Sequence, residues 1–124
     1  VLQVEKKAAI AEVMELTDEE SEVFWTLYND YQAEQYKVQN ERIAVIRDFA
    51  ENYETMTDEK ADELWNGMLQ YQMDLLKLKK AWYPKFKKSL PVGKVVTFFQ
   101  TENKIEALVN AQLALDIPLL EVED

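Results

Sequence analysis

Leu16-Thr17-Asp18-Glu19-Glu20 and Met56-Thr57-Asp58-Glu59-Lys60 stand 40 residues apart, and their reading decides the fold. A threonine just ahead of a helix is favoured because its hydroxyl accepts a hydrogen bond from a first-turn N–H that has no partner inside the helix. In the first copy, Glu20 follows Thr17 by three residues, where its carboxylate can reach back to the threonine N–H and complete a capping box. The acidic residues of both copies also face the positive end of the helix dipole. Helices are therefore expected to begin at Asp18 and at Asp58.

Downstream of the first signal, Phe24, Tyr28, Tyr31, Gln35, Val38, Arg42, Val45, Phe49 and Tyr53 recur at three- and four-residue intervals. That is the stripe of one helix over 18–52, roughly 50 Å long at about 1.5 Å per residue. Downstream of the second, Ala61, Leu64, Met68, Tyr71, Leu75, Leu78, Trp82 and Phe86 mark a helix over 58–90, with a kink expected near Pro84. Only Glu54 to Met56 separates the two stripes, and so short a connection forces an antiparallel hairpin. Trp25 and Trp65 each follow their threonine by eight residues and read as core anchors near opposite ends of that hairpin.

Two further helices complete an all-α chain of four. Val4, Ala8, Ala11 and Met14 give a short amphipathic helix over 4–14. Pro91 suits a first helical turn, and Val92, Val95, Val96, Phe99, Asn103, Glu106, Val109 and Leu113 continue a helix over 91–116, which Pro118 stops and which is expected to pack along the hairpin. The whole, 1–124, reads as a single helical domain. Its 124 residues include only two glycines and three prolines, which favours long helices with few turns. The polar middle of the second helix, Gln32 to Arg42, has two readings: exposure over a thin hairpin, or a seam in which Gln35 and Arg42 meet Glu102, Asn103 or Glu106.

The net charge of −10 is unevenly placed. Leu75 to Thr101 contains no acid and seven lysines, Lys77, Lys79, Lys80, Lys85, Lys87, Lys88 and Lys94, so the remainder carries −17. Such asymmetry either pairs two faces within the fold or orients the chain toward a partner or another copy of itself. Lys77, Lys80 and Lys87 share a helix face, and with Lys88 they are the candidate contact for an acidic or amphipathic protein partner. Trp82, Tyr83 and Phe86 among these lysines have the composition of a nucleic-acid patch, but an acidic remainder repels phosphate, so no nucleic-acid partner is expected.

The chain has neither histidine nor cysteine, which excludes imidazole and thiolate metal sites, disulfides and the common nucleophile-base pairs. The acidic clusters Asp18–Glu22 and Asp58–Glu63 lack the glycine of a calcium loop and read as helix starts, and Val92-Gly93-Lys94 is no phosphate loop. No catalytic, cofactor-binding or metal residue is expected. No apolar run is long enough to cross a membrane, and the start at Val1, without Met, is what a processed or trimmed chain would show.

The two signals, carried by Leu16, Thr17, Asp18 and Glu20 and by Met56, Thr57, Asp58 and Lys60, resemble the paired Leu-Thr-x-x-Gln motifs of the Spy/CpxP family of helical proteins. Glu20 and Lys60 stand where that motif has glutamine, and Met56 where it has leucine. Leu16 to Pro118, including Phe98-Phe99-Gln100-Thr101-Glu102-Asn103, is also similar to proteobacterial proteins of like design. The resemblance implies a periplasmic, cofactor-free helical protein, often a homodimer, acting as an ATP-independent chaperone or envelope-stress adaptor. A structural protein that assembles only with its own copies is the alternative.

Overall fold

The computed structural model describes residues 3–121 and is all-α, with four helices: α1 (Gln3–Met14), α2 (Asp18–Asn52), α3 (Asp58–Lys87) and α4 (Val92–Asp116). A single 3-10 turn, Tyr53–Thr55, links α2 to α3. Both threonines do what their positions predict. The Glu20 N–H donates to Thr17 Oγ1 at 3.2 Å, and the Lys60 N–H donates to Thr57 Oγ1 at 3.1 Å.

The helix ends differ from expectation by a few residues. α3 runs on through Pro84, where the ring removes one interior hydrogen bond without ending the helix. It stops at Lys87, not near Leu90, because the N–H groups of Ser89 and Leu90 both turn back onto the Phe86 carbonyl. Pro91 then lies just ahead of α4, its carbonyl accepting from the N–H groups of Lys94 and Val95.

The chain forms two compact units. Among the described residues the first comprises 3–24 and 86–121, so it holds α1, the first turns of α2, the last residues of α3 and all of α4. Its core is aromatic. Phe98 meets Phe24 and Phe86 with ring centroids 5.1 Å from each, and Phe99 stands edge-on to Phe86 at 5.7 Å. Ile10, Met14, Leu90 and Val95 are buried with them. Edge-to-face and tilted pairs of this kind contribute about 0.5–1.5 kcal/mol each beyond the area they bury.

α1 and α4 pack on each other, on lines other than those expected. The buried residues of α1 are Lys6, Ile10 and Met14, and Val4, Ala8 and Ala11 face solvent. Those of α4 are Val95, Phe98 and Glu102, while Asn103 and Val109 are exposed. One ion pair lies on these buried lines: Lys6 Nζ stands 3.1 Å from Glu102 Oε2, with 9% and 4% of the two side chains exposed. A buried charge must be paired, and here each ion offsets the burial of the other, so both can take inward positions beside Ile10, Met14, Val95 and Phe98.

The second unit, 25–85, is the α2/α3 hairpin. Its antiparallel register is visible in the contacts between its arms. Tyr31 stands edge-on to Trp82, Arg42 lies over the Tyr71 ring, Val45 approaches Gly67, and Asp48 pairs with Lys60. Tyr28, Tyr31, Leu64, Tyr71, Leu75 and Trp82 are buried, as the two stripes predict. At Gly67 the helices come so close that a Cβ would stand 3.0 Å from Val45 Cγ2.

One expectation for the hairpin fails. Trp25 is half-buried against Tyr28, but Trp65 is 63% exposed and anchors no core, because Leu64, its neighbour in sequence, takes the inward position. In the polar middle of α2, Arg42 donates to the Tyr71 hydroxyl of α3 at 3.4 Å, and that hydroxyl donates to Gln39 Oε1 at 3.2 Å. Arg42 thus bonds to the other arm of the hairpin, and Gln35, on the same stripe of α2, is buried.

Candidate functional site

The motif residues come first, because both copies do more than start helices. In the first copy the Thr17 N–H donates to Glu20 Oε1 at 2.9 Å, completing the reciprocal box. The same carboxylate oxygen receives Lys94 Nζ of α4 at 2.6 Å, and that ammonium also donates to the Glu15 carbonyl at 3.0 Å. Lys94 above all, and then the Thr17 N–H, hold the Glu20 carboxyl below its ordinary value. Glu15 itself has a left-handed backbone, φ 48°, at the end of α1. One lysine therefore joins the end of α1, the start of α2 and α4 at a single point.

The second copy uses the opposite charge. Lys60 cannot return a bond to Thr57, and its ammonium instead reaches Asp48 of α2 at 2.7 Å and Glu63 at 3.2 Å. Asp48, then Glu63, raise its pKa above the ordinary lysine value. Asp48 in turn receives the Asn52 side-chain amide at 2.8 Å, near the end of α2. In both copies the fifth motif residue, Glu20 or Lys60, carries a charge and ties its helix start to another helix. Leu16 and Met56 are half-buried beside these points, and Asp18 and Asp58 are exposed in the first turns.

The candidate partner-contact lysines fall in both units. Lys77 and Lys80 are exposed on α3 in the hairpin unit; Lys87 and Lys88 are exposed in the other, at and just past the end of α3. Within the hairpin unit, Trp82 is buried, and Lys85 covers its ring at 4.2 Å. A base could not stack on a ring so placed.

Apolar side chains left on the surface are the feature that sequence reading missed. In the first unit, α4 is buried only up to Glu102. Beyond it Leu108, Leu115 and Leu119 are exposed, the last two by 82% and 89%. In the hairpin unit, Trp65, Leu69, Met73 and Leu76 are exposed along α3, and Tyr36 and Ile43 along α2. Their three- and four-residue spacing was legible, but it resembles that of the buried stripe one position away.

On the other side of the hairpin, the Glu41 carboxyl of α2 lies beside that of Asp74 of α3, and Gln70 donates to Asp74 at 2.9 Å. Loss of water around Glu41, followed by the neighbouring Asp74 carboxyl, raises the Glu41 pKa. Among the described residues no group of three or more Asp or Glu is placed to hold a metal ion. No described helix is long and apolar enough to cross a membrane. No protein-family model, curated protein or solved structure matches the chain.

Proposed function

We propose that the chain is a non-enzymatic, cofactor-free protein-binding module, a periplasmic chaperone or envelope-stress adaptor of the Spy/CpxP kind. The observation that carries this reading is the second half of α4, with no fully buried residue beyond Glu102, where Leu108 and Leu115 lie on solvent, followed past the helix end by Leu119. An apolar helical surface of this sort takes up the apolar segments of another protein, as amphipathic helices do when they meet a groove or an unfolded chain. The acid-free segment from Leu75 to Thr101 supplies lysines, Lys77 and Lys80 in one unit and Lys87 and Lys88 in the other, for acidic partners. The charged fifth residues of both motifs, Glu20 and Lys60, engaged in clamps, support a structural part for the motif itself.

The test is protection of a chemically unfolded globular client from aggregation, followed by light scattering at near-stoichiometric ratio. Protection is expected, and it is expected to be lost in a triple variant, Leu108→Asp, Leu115→Asp and Leu119→Asp, whose circular dichroism keeps the parent's helicity. Absence of protection at every salt concentration removes the chaperone version. Fractionation of cells producing the natural gene tests the periplasmic location.

The division of charge favours a second partner, another copy of the chain, and with it the alternative of a structural protein that forms homo-oligomers. Self-association without any client protection is the outcome that would select that alternative.

A further inference from the structure

We infer that the outer face of α3 in the hairpin unit is a homodimer interface in which two copies meet antiparallel, Asp62 of each against Lys80 of the other. The inference deepens the own-copy partner of the proposed function and does not depend on client binding.

Asp62, Trp65, Leu69, Met73, Leu76 and Lys80 follow one another at intervals of three or four residues, so they form one line along the helix. All six are exposed. The line runs opposite to Leu64, Tyr71 and Leu75, which α3 buries within the hairpin. α2 widens the face. Because Val45 stands beside Gly67 and Arg42 beside Tyr71, the register sets Ile43 level with Leu69 and Tyr36 level with Leu76. Both are exposed, and helical rotation puts them on the side away from the Glu41–Asp74 and Asp48–Lys60 contacts.

An apolar strip flanked by polar ends could take many partners, but here the ends are ordered. The acid lies at one end and the lysine at the other, about 27 Å along the helix by its rise of about 1.5 Å per residue. Glu59 and Glu63, both exposed, extend the acidic end, and Lys77 extends the basic end. A two-fold axis crossing α3 near Tyr71 reverses the helix direction. It sets Asp62 against Lys80, Leu69 against Met73 and, within one residue, Trp65 against Leu76. Such a patch is self-complementary, as an isologous interface must be. A parallel pairing would put acid on acid and lysine on lysine, which repel. This match of charge and apolar order to its own reverse is what selects a second copy as the occupant.

Sedimentation equilibrium of the full chain across the micromolar range is the experiment. The chain is expected to dimerise, and Leu69→Asp is expected to leave a monomer of unchanged helicity, since that side chain supports no core. Asp62→Lys, and separately Lys80→Asp, should each weaken the dimer about tenfold or more, because two-fold symmetry repeats the like-charge contact. The double swap, Asp62→Lys with Lys80→Asp, should restore the parent dissociation constant to within about threefold, because each reversed end meets a reversed end. A chain that stays monomeric at all salt concentrations overturns the inference. So does a dimer indifferent to Leu69→Asp, or a double swap as weak as the single ones. Loss of client protection with this dimer intact counts against the chaperone reading alone.

Discussion

Replacing Lys6 by methionine is the sharpest probe of the first unit, because it deletes one charge and keeps the length of the side chain. In the parent, the ammonium sits 3.1 Å from Glu102 Oε2, with both side chains at least nine-tenths covered. At that separation and an effective dielectric constant of about 20, the attraction is on the order of 5 kcal/mol. Much of it offsets the cost of taking two ions out of water, so the pair adds little over two well-packed apolar residues. Removing one partner is different, since the Glu102 carboxylate then stays buried without its counter-ion. Lys6→Met should therefore cost about 3–5 kcal/mol, whereas Lys6→Met with Glu102→Leu should return to within about 1 kcal/mol of the parent. Equilibrium urea unfolding of the parent, both single variants and the double variant measures the coupling as a thermodynamic cycle. The loss should be nearly the same in roughly 1 M salt, where exposed pairs such as Lys37–Glu34 are screened over about 3 Å. A loss below about 1 kcal/mol for Lys6→Met, or one that salt abolishes, would refute the claim that the burial of Glu102 depends on Lys6.

Three further tests address the joints. Gly67→Ala should lower hairpin stability by about 1 kcal/mol, because the new methyl meets a stiff valine at 3.0 Å; adding Val45→Ala should recover part of the loss as the gain in helix propensity shows through. Glu15→Gly should raise the melting temperature by relieving the left-handed φ, a gain of about 1 kcal/mol by calorimetry, and an unchanged or lower melting temperature would mean that Glu15 bears no strain there. The two shifted carboxyls should act with opposite signs in a pH titration of stability. Glu20 has a depressed pKa when folded, so its contribution is present above its ordinary value of 4.5 and fades as pH falls through the folded pKa; Glu20→Gln should destabilise at neutral pH and converge with the parent in acid. Glu41 has a raised pKa when folded, so its ionised form opposes folding at neutral pH and ceases to do so as it protonates; Glu41→Gln should stabilise at neutral pH and lose that advantage below about pH 4.5.

The starts of α2 and α3, the stop after α4 and the inward stripe of the hairpin were all legible in the sequence. Thr17 and Glu20 bond each other across one turn, so the pattern that announces the capping box is also its geometry. Large apolar residues at helical spacing, Leu64 through Phe86, turned inward because no arrangement of two helices could leave all of them wet. The candidate site was less legible. Trp65 looked like an anchor on size alone, yet the rotation of α3 was decided by Leu64, Tyr71 and Leu75 acting together, and it left the tryptophan on the outer line. Glu20 and Lys60 read as departures from a glutamine motif, and their reach to Lys94 and Asp48 followed only from which helices lay alongside.

What the sequence by itself determined is whatever is settled within one or two helical turns: where each helix begins, how short the connection between α2 and α3 is, and therefore that these two helices run antiparallel. What only the tertiary structure decided is which charges could be buried and which apolar residues stayed in water. Lys6 and Glu102 lie at opposite ends of the chain, and nothing local distinguishes them from their solvated neighbours. Their burial is favourable only jointly, once α1 rests on α4, because each ion offsets the desolvation of the other. The outer line of α3 has the same kind of origin, since helical periodicity marks an apolar stripe but packing alone selects which stripe turns inward.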